Sequence, residues 1–131
     1  MAFNGTTINP SPTIALTAGA EIKGGPFTAV AISNGAAVQA TDALVPVGIT
    51  IAETSEDVKA GDVLTAQIKD IGVWKGGAEF KAGDPLASDA NGLAVKAAAG
   101  KFILGYALED CAAKGQPVRV QITKSGYMAT A

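Results

Sequence analysis

The sequence predicts an all-β protein: a small single-domain β sandwich or barrel of short antiparallel strands with an extended N-terminal arm. Three observations carry that expectation. Between Phe102 and Ile122 the chain reads strand, polar turn, strand, with Val118, Val120 and Ile122 alternating with Arg119 and Gln121. Side chains of a strand repeat every two residues, so the alternation describes a sheet with one buried and one wet face. The same grammar occurs earlier. Val47-Gly48-Ile49-Thr50-Ile51 stands where Leu104-Gly105-Tyr106-Ala107-Leu108 stands later, and Lys59-Ala60-Gly61-Asp62 where Ala113-Lys114-Gly115-Gln116 does. Third, short apolar runs follow one another between Gly-rich turns with no sustained helical period.

Composition agrees with this architecture. A chain of 131 residues holds one core, burying roughly two thirds of its unfolded surface. Aromatic residues are only 5% against a hydrophobic fraction of 48%. Small and β-branched side chains suit thin, closely packed sheets better than an aromatic ligand pocket. The net charge is −2 with both signs interleaved, so no basic stripe invites nucleic acid. There is no apolar run of membrane-spanning length. The first residues lack the basic and apolar segments of a secretory leader, which points to synthesis in a cytoplasm. The single cysteine, Cys111, has no partner for an internal disulfide and reads as a small residue in a strand-to-turn connection.

In chain order, residues 1–20 are rich in Thr, Asn, Pro and Ser, and Pro10 and Pro12 bar a helix. They read as the arm. Its apolar residues are too sparse for a core strand and suit a segment lying along another surface, which makes Phe3, Ile8, Thr13, Ile14 and Leu16 the candidate binding residues. The β domain spans residues 21–123. Lys23-Gly24-Gly25-Pro26 is a turn, Phe27 to Ser33 a strand, and Asn34-Gly35 a two-residue hairpin loop, because both residues tolerate the positive φ of a type I′ turn. Ala36 to Ala40 returns. Strands follow at Val47–Ala52, Val63–Lys69 and Ile71–Trp74. The polar stretch Glu53-Thr54-Ser55-Glu56-Asp57 has room for one helical turn. Lys81-Ala82-Gly83-Asp84-Pro85-Leu86 repeats Lys59-Ala60-Gly61-Asp62-Val63-Leu64 almost letter for letter. Asn91-Gly92 predicts another tight hairpin, and Ala97-Ala98-Ala99-Gly100 is too short to stand alone as a helix. After Ile122 the pattern is lost, leaving residues 124–131 as a tail.

The chemistry of catalysis is sparse. With no histidine anywhere, His-dependent triads and His-ligated metals have no residues to work with. Three groups of carboxylates remain: Glu53, Glu56, Asp57 and Asp62; Asp84 and Asp89; Glu109 and Asp110. None has the regular oxygen-ligand spacing of a calcium loop, and they read as solvated turns. Paired acids of a glycosidase usually sit in an aromatic groove, for which only Trp74, Tyr106 and Tyr127 are at hand. Ala99-Gly100-Lys101 fails as a phosphate loop, because Val95 and Phe102 replace the required Gly and Ser or Thr. Trp74 reads either as a cap on its sheet's core or as an interface anchor. The sequence therefore implies no enzyme, metal or cofactor.

The ordered series Val47-Gly48-Ile49, Ala60-Gly61-Asp62-Val63-Leu64, Ile71-Gly72-Val73-Trp74, Ala82-Gly83-Asp84-Pro85-Leu86, Asn91-Gly92-Leu93, Ile103 to Leu108 and Gly115 to Val120 resembles the capsid cement, or head-decoration, proteins of tailed bacteriophages over about residues 20–123. The resemblance implies a non-enzymatic virion protein on the outer surface of an assembled head. Its partners would be the major capsid protein and copies of itself, commonly trimers at local threefold positions. No functional residue transfers from the family. Two other readings stay open: a carbohydrate or host-surface binding module, and another structural virion component such as a tail-tube protein or a head-fibre base.

Overall fold

The computed structural model describes residues 11–130, and every regular element in it is a strand. The first half holds β1 (Thr13–Thr17), β2 (Ile22–Lys23), β3 (Ala29–Ser33), β4 (Ala36–Gln39), β5 (Pro46–Thr50), β6 (Asp57–Val58) and β7 (Val63–Gln67). The second holds β8 (Asp70–Lys75), β9 (Pro85–Ser88), β10 (Ala94–Lys96), β11 (Phe102–Ala107) and β12 (Pro117–Tyr127). They form two five-stranded sheets, ordered β1-β7-β5-β3-β4 and β10-β9-β11-β12-β8, with β2 and β6 as a separate pair. Read from β8, the second sheet has the connectivity of the first. In each, the first long strand lies beside the last, and the fourth separates the last from the second and third.

The sequence carries this duplication. Asn34-Gly35-Ala36-Ala37-Val38-Gln39-Ala40 reappears as Asn91-Gly92-Leu93-Ala94-Val95-Lys96-Ala97, and Leu64-Thr65-Ala66-Gln67-Ile68 as Val118-Arg119-Val120-Gln121-Ile122. The backbone repeats with it. Ala18 bridges Ala37 in parallel where Gly76 bridges Ala94. The Gly19 N–H donates to Ala37 where the Gly77 N–H donates to Ala94. These bridges draw the outer strands of each sheet together, so each sheet curls and the molecule combines the two expected forms, sandwich and barrel.

Alternation along the strands sorts side chains into cores. Ala29 and Ala31 of β3 and Ile49 of β5 join Trp74, Leu86, Leu104, Val118, Val120 and Ile122 of the second sheet in one shared cluster. Val30, pointing the other way, joins Ile22, Ala37, Val58, Leu64 and Ala66 in a second cluster inside the curled first sheet. Trp74 is fully buried and donates its indole N–H to the Gly92 carbonyl at 2.9 Å, so it belongs to the core. The alternation expected at Val118, Val120 and Ile122 is present, all three being buried between exposed Arg119 and Gln121.

Four local expectations are corrected. Residues 13–17 are not free arm but β1, paired residue for residue with β7 from Thr13↔Gln67 to Thr17↔Val63. An edge strand needs few apolar residues, and its partner lies far away in sequence. The tail expected from residue 124 begins later, because β12 continues to Tyr127 opposite Phe102; Lys124 and Gly126 take positive φ and break the alternation that marked the strand. Asn91-Gly92 is not a two-residue loop. Ser88 pairs with Ala94, and the Asp89 carboxylate closes the wider loop by accepting the N–H groups of Asn91 and Leu93 at 2.8 and 2.9 Å. Glu53 to Asp57 forms no helical turn; it leads into β6.

Candidate functional site

Of the five candidate binding residues, Phe3 and Ile8 lie outside the described residues. The other three sit on β1. The Thr13 N–H donates to Ser11 Oγ at 3.2 Å, and the Ile68 N–H to the Pro12 carbonyl at 2.8 Å, which fixes where the strand begins. Thr13, Ile14 and Leu16 face Gln67, Ala66 and Leu64 of β7. Leu16 packs against the core of the first sheet, while Ala15 and Thr17 are exposed. β1 ends its sheet with β7 as its one hydrogen-bonded strand neighbour.

What holds β1 is a device the protein uses three times. Lys59-Ala60-Gly61-Asp62, Lys81-Ala82-Gly83-Asp84 and Ala113-Lys114-Gly115-Gln116 each close a turn with an N–H from the fourth residue to the first carbonyl, at 3.0, 3.1 and 3.3 Å. Each places its glycine at φ near +90°, the left-handed region that favours glycine. That glycine N–H then donates to a backbone carbonyl across the sheet: Gly61 to Ala18, Gly83 to Ala107, Gly115 to Gly76, at 2.7–2.8 Å. The same three acceptors return their own N–H groups to Asp62, Asp84 and Gln116. The recurring Lys-Ala-Gly-Asp motif was the visible signal; Ala18, Gly76 and Ala107, the residues clamped, carry no signal of their own.

Several of the carboxylates hold backbone in or near these turns. Asp62 accepts from the Lys59 N–H at 3.0 Å and Asp84 from the Lys81 N–H at 2.9 Å. Asp110 accepts from Ala82 and Glu109 from Arg119, both at 2.8 Å. Asp57 lies 3.1 Å from Lys59; hydrogen bonding between them lowers the Asp57 pKa and raises that of Lys59. Both groups are solvent-exposed, so the pair adds little stability. Cys111 is buried with its thiol donating to the Ala113 carbonyl, inside the third turn. Asp62, Asp84, Asp110 and Glu109 thus act on backbone N–H groups and hold shape.

Comparisons with known proteins bear on what such a shape is for. The model of the family described as phage cement protein matches residues 6–122, a span covering both repeats. No curated protein matches the chain. Among solved structures, the crystal structure of the N-terminal base of head fibre gp8.5 of bacteriophage phi29 is similar with a TM-score of 0.63. It is 21% identical over 87% of this chain and 95% of that one, which is a likeness of fold.

Proposed function

The chain belongs to the phage cement protein family and is a structural virion protein; from that premise we propose that it binds the outside of an assembled head and cements contacts between major capsid subunits. The observation that carries this reading is the family match across both repeats. The physical construction supports it: two curled sheets share one core, and three clamped turns fix the ends of strands within them. Such a body is stiff and adapted to bridging neighbours.

A ligand that binds only the intact lattice stabilises it by roughly 2.7 kcal/mol per site at about a hundred times its dissociation constant. Repetition over many sites makes that large. Trimerisation at local threefold positions belongs to the same proposal, because after one contact forms the others engage at high effective concentration. The segment preceding β1 is the proposed tether, adding to a capsid sheet edge through backbone hydrogen bonds.

The test is to add the purified protein to assembled heads that lack it, pellet them, and measure the temperature at which they release DNA. Saturable binding with a raised release temperature is the expected outcome; no binding, or binding without stabilisation, overturns the cementing role. The fold-likeness to a head-fibre base favours one second reading, a base for an appended fibre. Electron microscopy of whole particles separates the two, since a base carries density projecting beyond the domain itself.

A further inference from the structure

One difference between the two repeats lies where β5 and β11 leave the last strand of each. In the second, pairing of β11 with β12 runs past Ala107↔Val120, with the Leu108 N–H donating to the Arg119 carbonyl at 3.0 Å. The Arg119 N–H is then taken by Glu109 Oε2 at 2.8 Å. Two residues earlier, Pro117 has no N–H to offer. That side of β12 is closed by its own chain.

In the first repeat the pairing of β5 with β7 ends at Thr50↔Ala66, the counterpart of Ala107↔Val120, and β7 runs back to Val63. The Asp62 carbonyl accepts from Ala18 on the β1 side. Successive residues of a strand present their backbone groups to alternate sides, so Val63 and Thr65 turn theirs away from β1; Thr65 lies opposite Ile51 in the register of Thr50↔Ala66, and Val63 lies beyond the end of β5. In the repeat correspondence Gly48-Ile49-Thr50-Ile51-Ala52 matches Gly105-Tyr106-Ala107-Leu108-Glu109, which sets Ala52 where Glu109 stands. Val63 stands where Pro117 does. Both closures are missing.

What borders β7 there is a groove of about 370 Å³ walled by Ile51, Glu53, Thr54, Val58, Asp62 and Val63, among other residues. The Thr54 hydroxyl is buried without a hydrogen-bond partner. Val63 is 69% exposed. Two carboxylates and no Lys or Arg line the space.

We infer that this groove receives an extended, cation-bearing segment of the major capsid protein, which adds to β7 at Val63–Thr65 as a short strand. The inference rests on the cementing role proposed above and names where the contact is made. A strand edge selects an extended backbone, the Thr54 hydroxyl adds a polar contact, and Glu53 and Asp62 select a Lys or Arg on the incoming chain. Residues 1–10 contain neither Lys nor Arg, so this chain's own N-terminal stretch is the poorer match.

The repeats supply the variants for the test. Val63→Pro should fold, because Pro85 and Pro117 follow the other two copies of the same turn, and it removes the N–H that faces the groove. Ala52→Glu should rebuild the cap that Glu109 provides. Full-length wild type, both variants and the control Pro117→Val are mixed with assembled heads lacking the protein. Both variants should melt within a few degrees of wild type yet bind heads at least tenfold more weakly, with the control unchanged. In the wild type, amide exchange at Val63–Thr65 should slow on binding. Variants that fold and bind like wild type overturn the groove alone, whereas a wild type that does not bind heads overturns the cementing role itself. Loss of self-association in place of head binding, seen by light scattering, would assign the groove to a second copy and overturn the capsid segment as its occupant.

Discussion

Gly48 leaves no room for a Cβ against the carbonyl oxygen of Gln67, and Gly105 stands in the same relation to Gln121. The matched pairs lie at corresponding points of the two repeats, β5 against β7 and β11 against β12. Each glycine lets its strand approach the last strand of its own repeat, and in each case the obstacle is backbone, which cannot rotate aside. Gly48→Ala and Gly105→Ala should therefore each cost about 2–3 kcal/mol through overpacking. Gly61→Ala is the contrast, since open space surrounds that position and only its φ of 92° opposes a side chain; it should cost about 1–2 kcal/mol. Urea unfolding monitored by circular dichroism checks the order: both strand glycines should lower the midpoint more than the turn glycine does.

The clamped turns make a second prediction. Asp62→Ala and Asp84→Ala each remove one carboxylate acceptor, from Lys59 and Lys81 respectively. Each should cost about 1 kcal/mol. The two turns belong to different sheets, so the double variant should lose close to the sum. A double variant much less stable than that sum would mean that the turns are mechanically coupled through the shared core.

Trp74 tests whether the two repeats unfold as one. The Gly92 carbonyl accepts both its indole N–H, at 2.9 Å, and the Ala29 N–H of β3, at 2.8 Å, tying the first repeat to the second at a single oxygen. Trp74→Phe should cost about 1–3 kcal/mol, chiefly through the cavity left by the smaller ring in a fully buried site, since the Gly92 carbonyl keeps the Ala29 N–H. In the wild type the only tryptophan should report the same unfolding midpoint as circular dichroism. Separate midpoints would mean that the repeats melt independently.

Features set by neighbouring residues were legible in the sequence. Asn34-Gly35 closes β3 and β4 with φ of 52° and 78°, as the dipeptide alone predicts, and the alternation in β12 follows from Pro117 to Ile122. Features set across the chain were hidden. β1 is defined by its register with β7, about fifty residues away, and Ala15 and Thr17 face solvent, so the strand looked like an arm. Asp89 turns an apparent two-residue hairpin into a wider loop through side-chain bonds that composition does not announce. The repetition of strand and turn was visible in Lys-Ala-Gly-Asp. That it amounted to a duplicated sheet was not, because insertions of different length separate the matching strands. The opening beside Val63 was hidden for the same reason: it appears only when Ala52 is set against Glu109.

The placement of β1 changes what a deletion can test. Removing residues 2–17 takes away the edge strand that covers β7, together with Leu16, which packs against the core of the first sheet. It should destabilise the fold by several kcal/mol, since it removes all the β1–β7 hydrogen bonds as well as the packing of Leu16, a side chain that would contribute roughly 1.5–3 kcal/mol if fully buried. Lost head binding in that variant would say nothing about a tether. Removing residues 2–10 leaves Pro12, whose carbonyl accepts the Ile68 N–H, and all of β1 in place. The shorter deletion should keep the wild-type melting temperature while weakening attachment to heads at least tenfold, measured by co-sedimentation. If it binds as tightly as the full chain, attachment runs through the folded body, and Phe3 and Ile8 have no part in it.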